Sequence, residues 1–238
     1  MTFDVTRVKA LLFDVFGTLV DWRGSVAGEA RRILSPIGIS LDWPAFASAW
    51  RAEYQPSMET VRRGDEPFRM LDVLHRRNLD SILPAFGLQD LPESTRAQLN
   101  GAWHRLDAWP DAKAGLDRLR SRYRIAPCSN GNISLMVDLA RHNGFLWDAV
   151  LGAEIARDYK PKAAVYLASA DALDCAPEAV MMVAAHSSDL AAAARAGLRT
   201  AFIARPDEFG PGAGEAAPSV PVDVCVSDVV ALAARMHC

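Results

Sequence analysis

Hydrophobic and polar positions divide the chain into three stretches. Residues 8–16 (VKALLFDVF) form a short apolar run that closes on Gly17-Thr18. A continuous run of that length, ended by a turn signal, predicts a buried central strand. From about Ser25 to Arg105 the spacing changes to the period of amphipathic helices. It predicts helices over GSVAGEARRIL, WPAFASAWRAEY, PFRMLDVLHRRNLDSIL and PESTRAQLNGAWHRL. Pro36 to Gly38, Gly64-Asp65, Pro84 to Gly87 and Pro92 break them apart, and no convincing strand intervenes.

Beyond Pro110, strand and helix alternate. The helix AKAGLDRLRSR leads to a strand YRIAPCS and a helix SLMVDLARHNG with a glycine stop. After WDAVLGAEI come the helix AAVYLASADAL, the strand AVMMVAA, the helix DLAAAARAG, the strand RTAFIA and finally VDVCVSDVVALAARM. This order predicts an α/β fold whose parallel sheet is covered on both faces. The segment from about Pro206 to Pro221, rich in Gly, Pro and Ala, reads as a surface loop. In such sheets the chemistry gathers beyond the carboxyl ends of the strands. Asp14, Ser129-Asn130 and the cluster His186 to Asp189 fall at those ends, and Lys160 lies in a loop before a helix.

Composition narrows the choice of partner. With 238 residues, half of them hydrophobic, the chain can bury a substantial core without disulfides or a structural metal. A net charge of -3 supplies neither a basic footprint for nucleic acid nor a polybasic membrane patch. Cys128, Cys175, Cys225 and Cys238 lie far apart without metal or redox spacing, as expected of thiols in a reducing compartment. The N-terminal MTFDVTRVKA lacks the apolar stretch of a secretion signal, and LLFDVFGTLV is too short and too polar to span a bilayer. The expected location is cytoplasmic.

Asp14 carries the strongest chemical signal. A carboxylate at the end of a buried strand is costly unless it is paired or used. An aspartate there can equally cap the turn by accepting from Gly17 or Thr18. Taken alone, the motif leaves both roles open.

Four motifs in order close much of that gap: FDVFGTLVD, CSNGN, YKPKAAVY and VAAHSSDLAAAARAGLRTAFI, with Trp50-Arg51 in the helical stretch. Over nearly its whole length the chain resembles the haloacid dehalogenase superfamily, and within it the type II (L-2-haloacid) dehalogenases. The resemblance implies a Rossmann-like core over residues 1–20 and 106–238, with a helical cap over 21–105. It implies that Asp14 displaces halide from carbon and forms an aspartyl ester, which water then hydrolyses to a 2-hydroxy acid. Lys160 would keep Asp14 ionised, and Asp189 would pair with Lys160 and serve the hydrolytic water. Arg51 would draw the halide away as charge grows on it. Thr18, Tyr166 and His186 join the catalytic set, while Val15, Phe16, Ser129 and Asn130 join Arg51 around substrate and halide. The partners implied are a small halogenated carboxylic acid and water, in a homodimer.

Each of these residues has a structural alternative. Lys160 can be a solvated lysine before a helix, and Arg51 a surface arginine. Ser129 to Asn132 can be a polar turn, and Asp189 an acid in the first turn of a helix.

Two positions depart from a common pattern. The phosphatases of the superfamily carry a second aspartate where Phe16 stands, for acid catalysis and magnesium. A phenyl ring does neither, so no metal or cofactor is expected. Many type II dehalogenases resemble S-S-N-x-x-D where this chain has Ala184-Ala185-His186-Ser187-Ser188-Asp189. A subgroup of similar proteins carries A-A-H here, some of them associated with fluoroacetate, which adds fluorinated acids to the implied substrates. A magnesium-dependent phosphatase and a non-catalytic carboxylate binder remain as alternatives.

Overall fold

The computed structural model describes residues 4–238, so the first three residues of the expected core lie outside it. Among the described residues, six parallel strands form one sheet: β1 (Ala10–Phe13), β2 (Arg124–Ser129), β3 (Leu151–Gly152), β4 (Val180–Ala184), β5 (Arg199–Ile203) and β6 (Val224–Val226). Their order is β3-β2-β1-β4-β5-β6. Leu11 pairs with Ile125 on one side and with Met181 on the other, which makes β1 central. All four of its residues are buried. That is why its sequence is continuously apolar instead of alternating.

Alternate residues still serve opposite faces. Leu11, Phe13, Met181 and Val183 pack on α6 (Ala112–Arg120) and α11 (Val229–Arg235). Ala10, Leu12, Met182 and Ala184 pack on α9 (Ala163–Ala172) and α10 (Ser187–Arg195). Helix α7 (Ile133–Asn143) follows β2, and the short α8 (Ala153–Ala156) follows β3. The chain leaves β1 towards β2 and β3, then returns to place β4 on the other side of β1. The carboxyl ends of β1 and β4 therefore flank the point where the winding reverses, the usual place for a ligand.

Between β1 and α6 the described chain is helical: α1 (Trp22–Leu34), α2 (Trp43–Ala52), α3 (Tyr54–Arg62), α4 (Leu71–Ile82) and α5 (Glu93–Asn100). Asp21 and Asp42 cap α1 and α2 by accepting from Gly24 and Ala45. The two ends of this insert run side by side, with Trp109 N donating to Leu19 O and Val20 bridged to Ala108. Hydrophobic patterning misses α3. It merges the start of α3 with α2 and leaves the remainder, up to the break at Gly64-Asp65, unassigned. Pro56 occupies the first turn of α3, where its missing N–H costs no intrahelical bond.

Candidate active site

Beyond the end of β1, Asp14 N donates to Val183 O at 2.9 Å, which continues the ladder one residue past the strand. The side chain is thereby carried to the open edge, where it lines a cleft of 1220 Å³ between the sheet and the helical insert. Its two oxygens have different surroundings. Oδ1 accepts from Lys160 Nζ at 2.8 Å. Oδ2 accepts from Thr18 Oγ1 at 2.7 Å and faces His186 Nδ1 at 3.1 Å. Thr18 Oγ1 accepts from Ala185 N, so its proton is free to point at Asp14.

Lys160 is only 7% exposed and joins Asp14 to Asp189, with Nζ 2.5 Å from Asp189 Oδ2. Its backbone is held at both ends: Lys160 N donates to Asn130 Oδ1, and Arg62 on α3 donates to its carbonyl. Tyr166 donates to the other oxygen of Asp189 at 2.5 Å.

Burial alone would push the Asp14 carboxyl up. The Lys160 ammonium and His186 outweigh it and hold Asp14 well below the usual carboxylate range. Burial likewise opposes charge on Lys160, yet Asp14 and Asp189 keep its ammonium well above the ordinary lysine value. Burial and the charge of Asp189 push the Tyr166 phenol up, so it remains a donor.

His186 lies between two carboxylates. Its Nε2 is 2.8 Å from Glu208 Oε2, and Trp22 Nε1 donates to Glu208 Oε1 at 3.0 Å. Burial would lower the imidazole, but its bonds to Asp14 and Glu208 prevail and push it up to about 10. Glu208 is 1% exposed and comes from the segment whose composition suggests a surface loop. That expectation is corrected in part. Arg205, at the foot of the loop, donates to Thr18 O and makes two 2.8 Å bonds to Asp111, which ties the loop against the site. Gly17 makes room for Glu208: its φ is +84°, and a Cβ there would lie 2.0 Å from Glu208 Oε1.

Arg51 on α2 also lines the cleft. Its guanidinium sits 3.7 Å from the centroid of the Tyr54 ring and 5.3 Å from that of Trp22. Its buried Nη1 has no hydrogen-bond partner among the described residues. A cation with aromatic walls and a spare donor suits a small anion. Phe16 adds a third ring to this wall, with its edge against Trp103 and His75.

The cleft thus collects Asp14, Phe16, Arg51, Asn130, Lys160, His186 and Asp189. Thr18 and Tyr166 stand behind it, fully buried and bonded to Asp14 and Asp189. Two expected substrate-binding residues turn their side chains away from the cleft. The Ser129 side chain does not line the cleft, because its Oγ turns back to accept from Gly131 N beneath the sheet edge. The Val15 side chain packs into the core, since successive residues leaving a strand point to opposite sides. Trp22, Tyr54, Glu208 and Phe209 were absent from the expected site. For Glu208, the available signal was its position just after β5, at the same sheet edge as Asp14.

A family model for haloacid dehalogenase-like hydrolases matches residues 8–197. The chain belongs to this family. Within the haloacid dehalogenase-like hydrolases it is 28% identical over 207 residues to (S)-2-haloacid dehalogenase 4A of Burkholderia cepacia, covering 84% of this chain and 85% of that one. The crystal structure of the defluorinating L-2-haloacid dehalogenase Rha0230 superposes with a TM-score of 0.94 at 42% identity, over 97% of this chain and 96% of the other. The L-2-haloacid dehalogenase PA0810 gives 0.93 at 43% identity, over 97% and 99%. These matches place the chain in the L-2-haloacid dehalogenase branch of the family.

Proposed function

We propose that this protein hydrolyses short (S)-2-haloalkanoic acids to 2-hydroxy acids through an ester on Asp14. The observation that carries the proposal is the pairing of an ionised, buried Asp14 with Lys160 in a cleft where Arg51 retains a free donor. Asp14 Oδ1 has a single donor, whereas Oδ2 has two close neighbours, so Oδ1 is the oxygen free to attack carbon. The halide leaves towards the Arg51 guanidinium, where the charge it gains is met by a fixed cation. Water then attacks the ester carbonyl beside Asp189.

Phe16 favours carbon–halide over phosphoryl chemistry. The second residue after the nucleophile presents a ring instead of an oxygen, so it can neither protonate a leaving group nor ligate magnesium. The proposed reaction calls for no metal or cofactor. Residues 21–105 act as a cap that brings Arg51 and the aromatic wall over a core of 1–20 and 106–238, excluding water from the first step. Among the described residues no helix is long and apolar enough to cross a membrane. All four cysteines are free, which suits a reducing compartment such as the cytoplasm.

Fluorinated acids belong among the candidate substrates, because a defluorinating relative shares 42% of the sequence. Halide release from chloro-, bromo- and fluoroacetate and from both enantiomers of 2-chloropropionate, with and without a chelator, tests these assignments. Release from the (S) acids, unaffected by chelation, is expected. Silence with every haloacid would refute the function.

A further inference from the structure

His186 has a carboxylate on each side, Asp14 at Nδ1 and Glu208 at Nε2. A neutral imidazole offers one donor and one acceptor, so it can satisfy one such partner but not two. Only the imidazolium can donate from Nδ1 to Asp14 and from Nε2 to Glu208 at once. Glu208 in turn is held by Trp22 and by its close approach to the bare Cα of Gly17. Such an arrangement is more than an Asp14 carboxylate requires, since Lys160 already keeps it ionised. It gains a purpose once Asp14 has been alkylated and its negative charge is gone.

We propose that Glu208 keeps His186 as an imidazolium so that Nδ1–H and the Thr18 hydroxyl form an oxyanion hole on Asp14 Oδ2 during hydrolysis of the aspartyl ester. The proposal rests on the dehalogenase function above and concerns its second step. Water adds to Cγ of Asp14 and gives one proton to Asp189. The Cγ–Oδ2 π electrons move onto Oδ2, where Thr18 and His186 already point. On collapse the Cγ–Oδ1 bond breaks, and the departing 2-hydroxy acid oxygen takes the proton held by Asp189. Asp14 is left as a carboxylic acid, which loses its proton to solvent and so returns to the carboxylate. The liberated proton balances the halide expelled in the first step.

Groups on every neighbouring element set the charge of His186. Asp14 follows β1, and Glu208 comes from the loop after β5. Lys160 and Asp189 lie behind Asp14, Arg51 faces the cleft from the insert, and Glu215 accepts from the adjacent Ser187 N. Of these, Glu208 and Asp14 touch the ring, and only Glu208 remains charged in the ester. Glu208 is therefore a positioning residue and His186 a catalytic one.

The test is Glu208→Gln, which keeps the size of the side chain and removes its charge. With (S)-2-chloropropionate, rapid quench should find the halide burst within about threefold of the parent enzyme. Steady turnover should fall by up to about 10²–10³-fold, the scale of losing one oxyanion-hole donor. Mass spectrometry of the quenched protein should show the ester accumulating on Asp14. Ester hydrolysis in the variant should decline as pH rises through about 6.5, where an unassisted imidazole loses its proton. In the parent, where the Glu208 carboxylate still faces Nε2, it should hold to higher pH than in the variant.

His186→Gln, which keeps a donor without a charge, should accumulate ester with no such titration. It serves as the test if Glu208→Gln does not fold. A burst slowed as much as turnover, with no ester and an unchanged pH profile, overturns the proposal. If the parent enzyme itself releases no halide, the dehalogenase function fails first.

Discussion

The ammonium of Lys160 lies 2.8 Å from Asp14 Oδ1, and both side chains are buried at the open end of the sheet. An aspartate so placed is anionic throughout the physiological range, and Oδ1 carries no other donor to block attack. Asp14→Asn removes the charge and the nucleophile at nearly constant volume. Turnover should fall on the order of 10⁴-fold or more in a protein that still folds, as circular dichroism would show. In heavy-oxygen water, a single turnover of the parent enzyme should place the label in Asp14 before any appears in product. Label in the first product would exclude the ester.

Removing the cation is a different perturbation. Lys160→Met leaves Asp14 and Asp189 buried without the charge they share. Loss of one partner from a buried ion network typically costs about 3–5 kcal/mol. The acid limb should move as well. With its carboxyl held below the ordinary value of 3.8, Asp14 stabilises the fold above that pH and loses the contribution as pH falls through the depressed value. Without Lys160 the loss should begin at higher pH, which urea titrations across the acid range would reveal.

Arg51 separates catalysis from folding. Stacking on Tyr54 contributes on the order of 1 kcal/mol, so Arg51→Lys should be tolerated by the fold. Lysine keeps the charge but loses the planar stack and the free Nη1 donor. The halide burst should slow about 10²-fold, as when a fixed donor to developing charge is lost. A burst unchanged in Arg51→Lys and in Arg51→Ala would place the halide elsewhere.

At alkaline pH the His186 imidazole governs. Its value is raised from 6.5 to about 10 in the folded chain. A raised value means a contribution fully present below 6.5 and lost as pH rises through about 10. The parent protein should therefore lose stability over that window, and His186→Asn should flatten the loss. Thermal midpoints measured from pH 6 to pH 10 in both proteins decide the matter.

Much of the fold can be read from periodicity. The apolar run before Asp14 becomes β1 because a central parallel strand is buried on both faces. The alternation after Pro110 becomes the parallel sheet for the same reason. Helix α3 escapes because the helix read over WPAFASAWRAEY ends at Tyr54, the residue on which α3 begins. The expected cluster of Asp14, Lys160, Asp189 and Arg51 does assemble around one cleft. Ser129 is drawn inward instead, since a hydroxyl at a strand end can satisfy its own turn before it reaches a ligand.

Local pattern alone determined which segments are strands and helices, and which polar residues end the strands, because burial in a parallel sheet imprints on nearest neighbours in the chain. Only the tertiary structure decided that Glu208 closes on His186, that Trp22 holds it, and that Gly17 admits it. Those contacts join residues from three distant segments of the chain. They depend on where the loop after β5 is pinned by Arg205, and a loop rich in glycine and proline carries no periodicity from which that could be read.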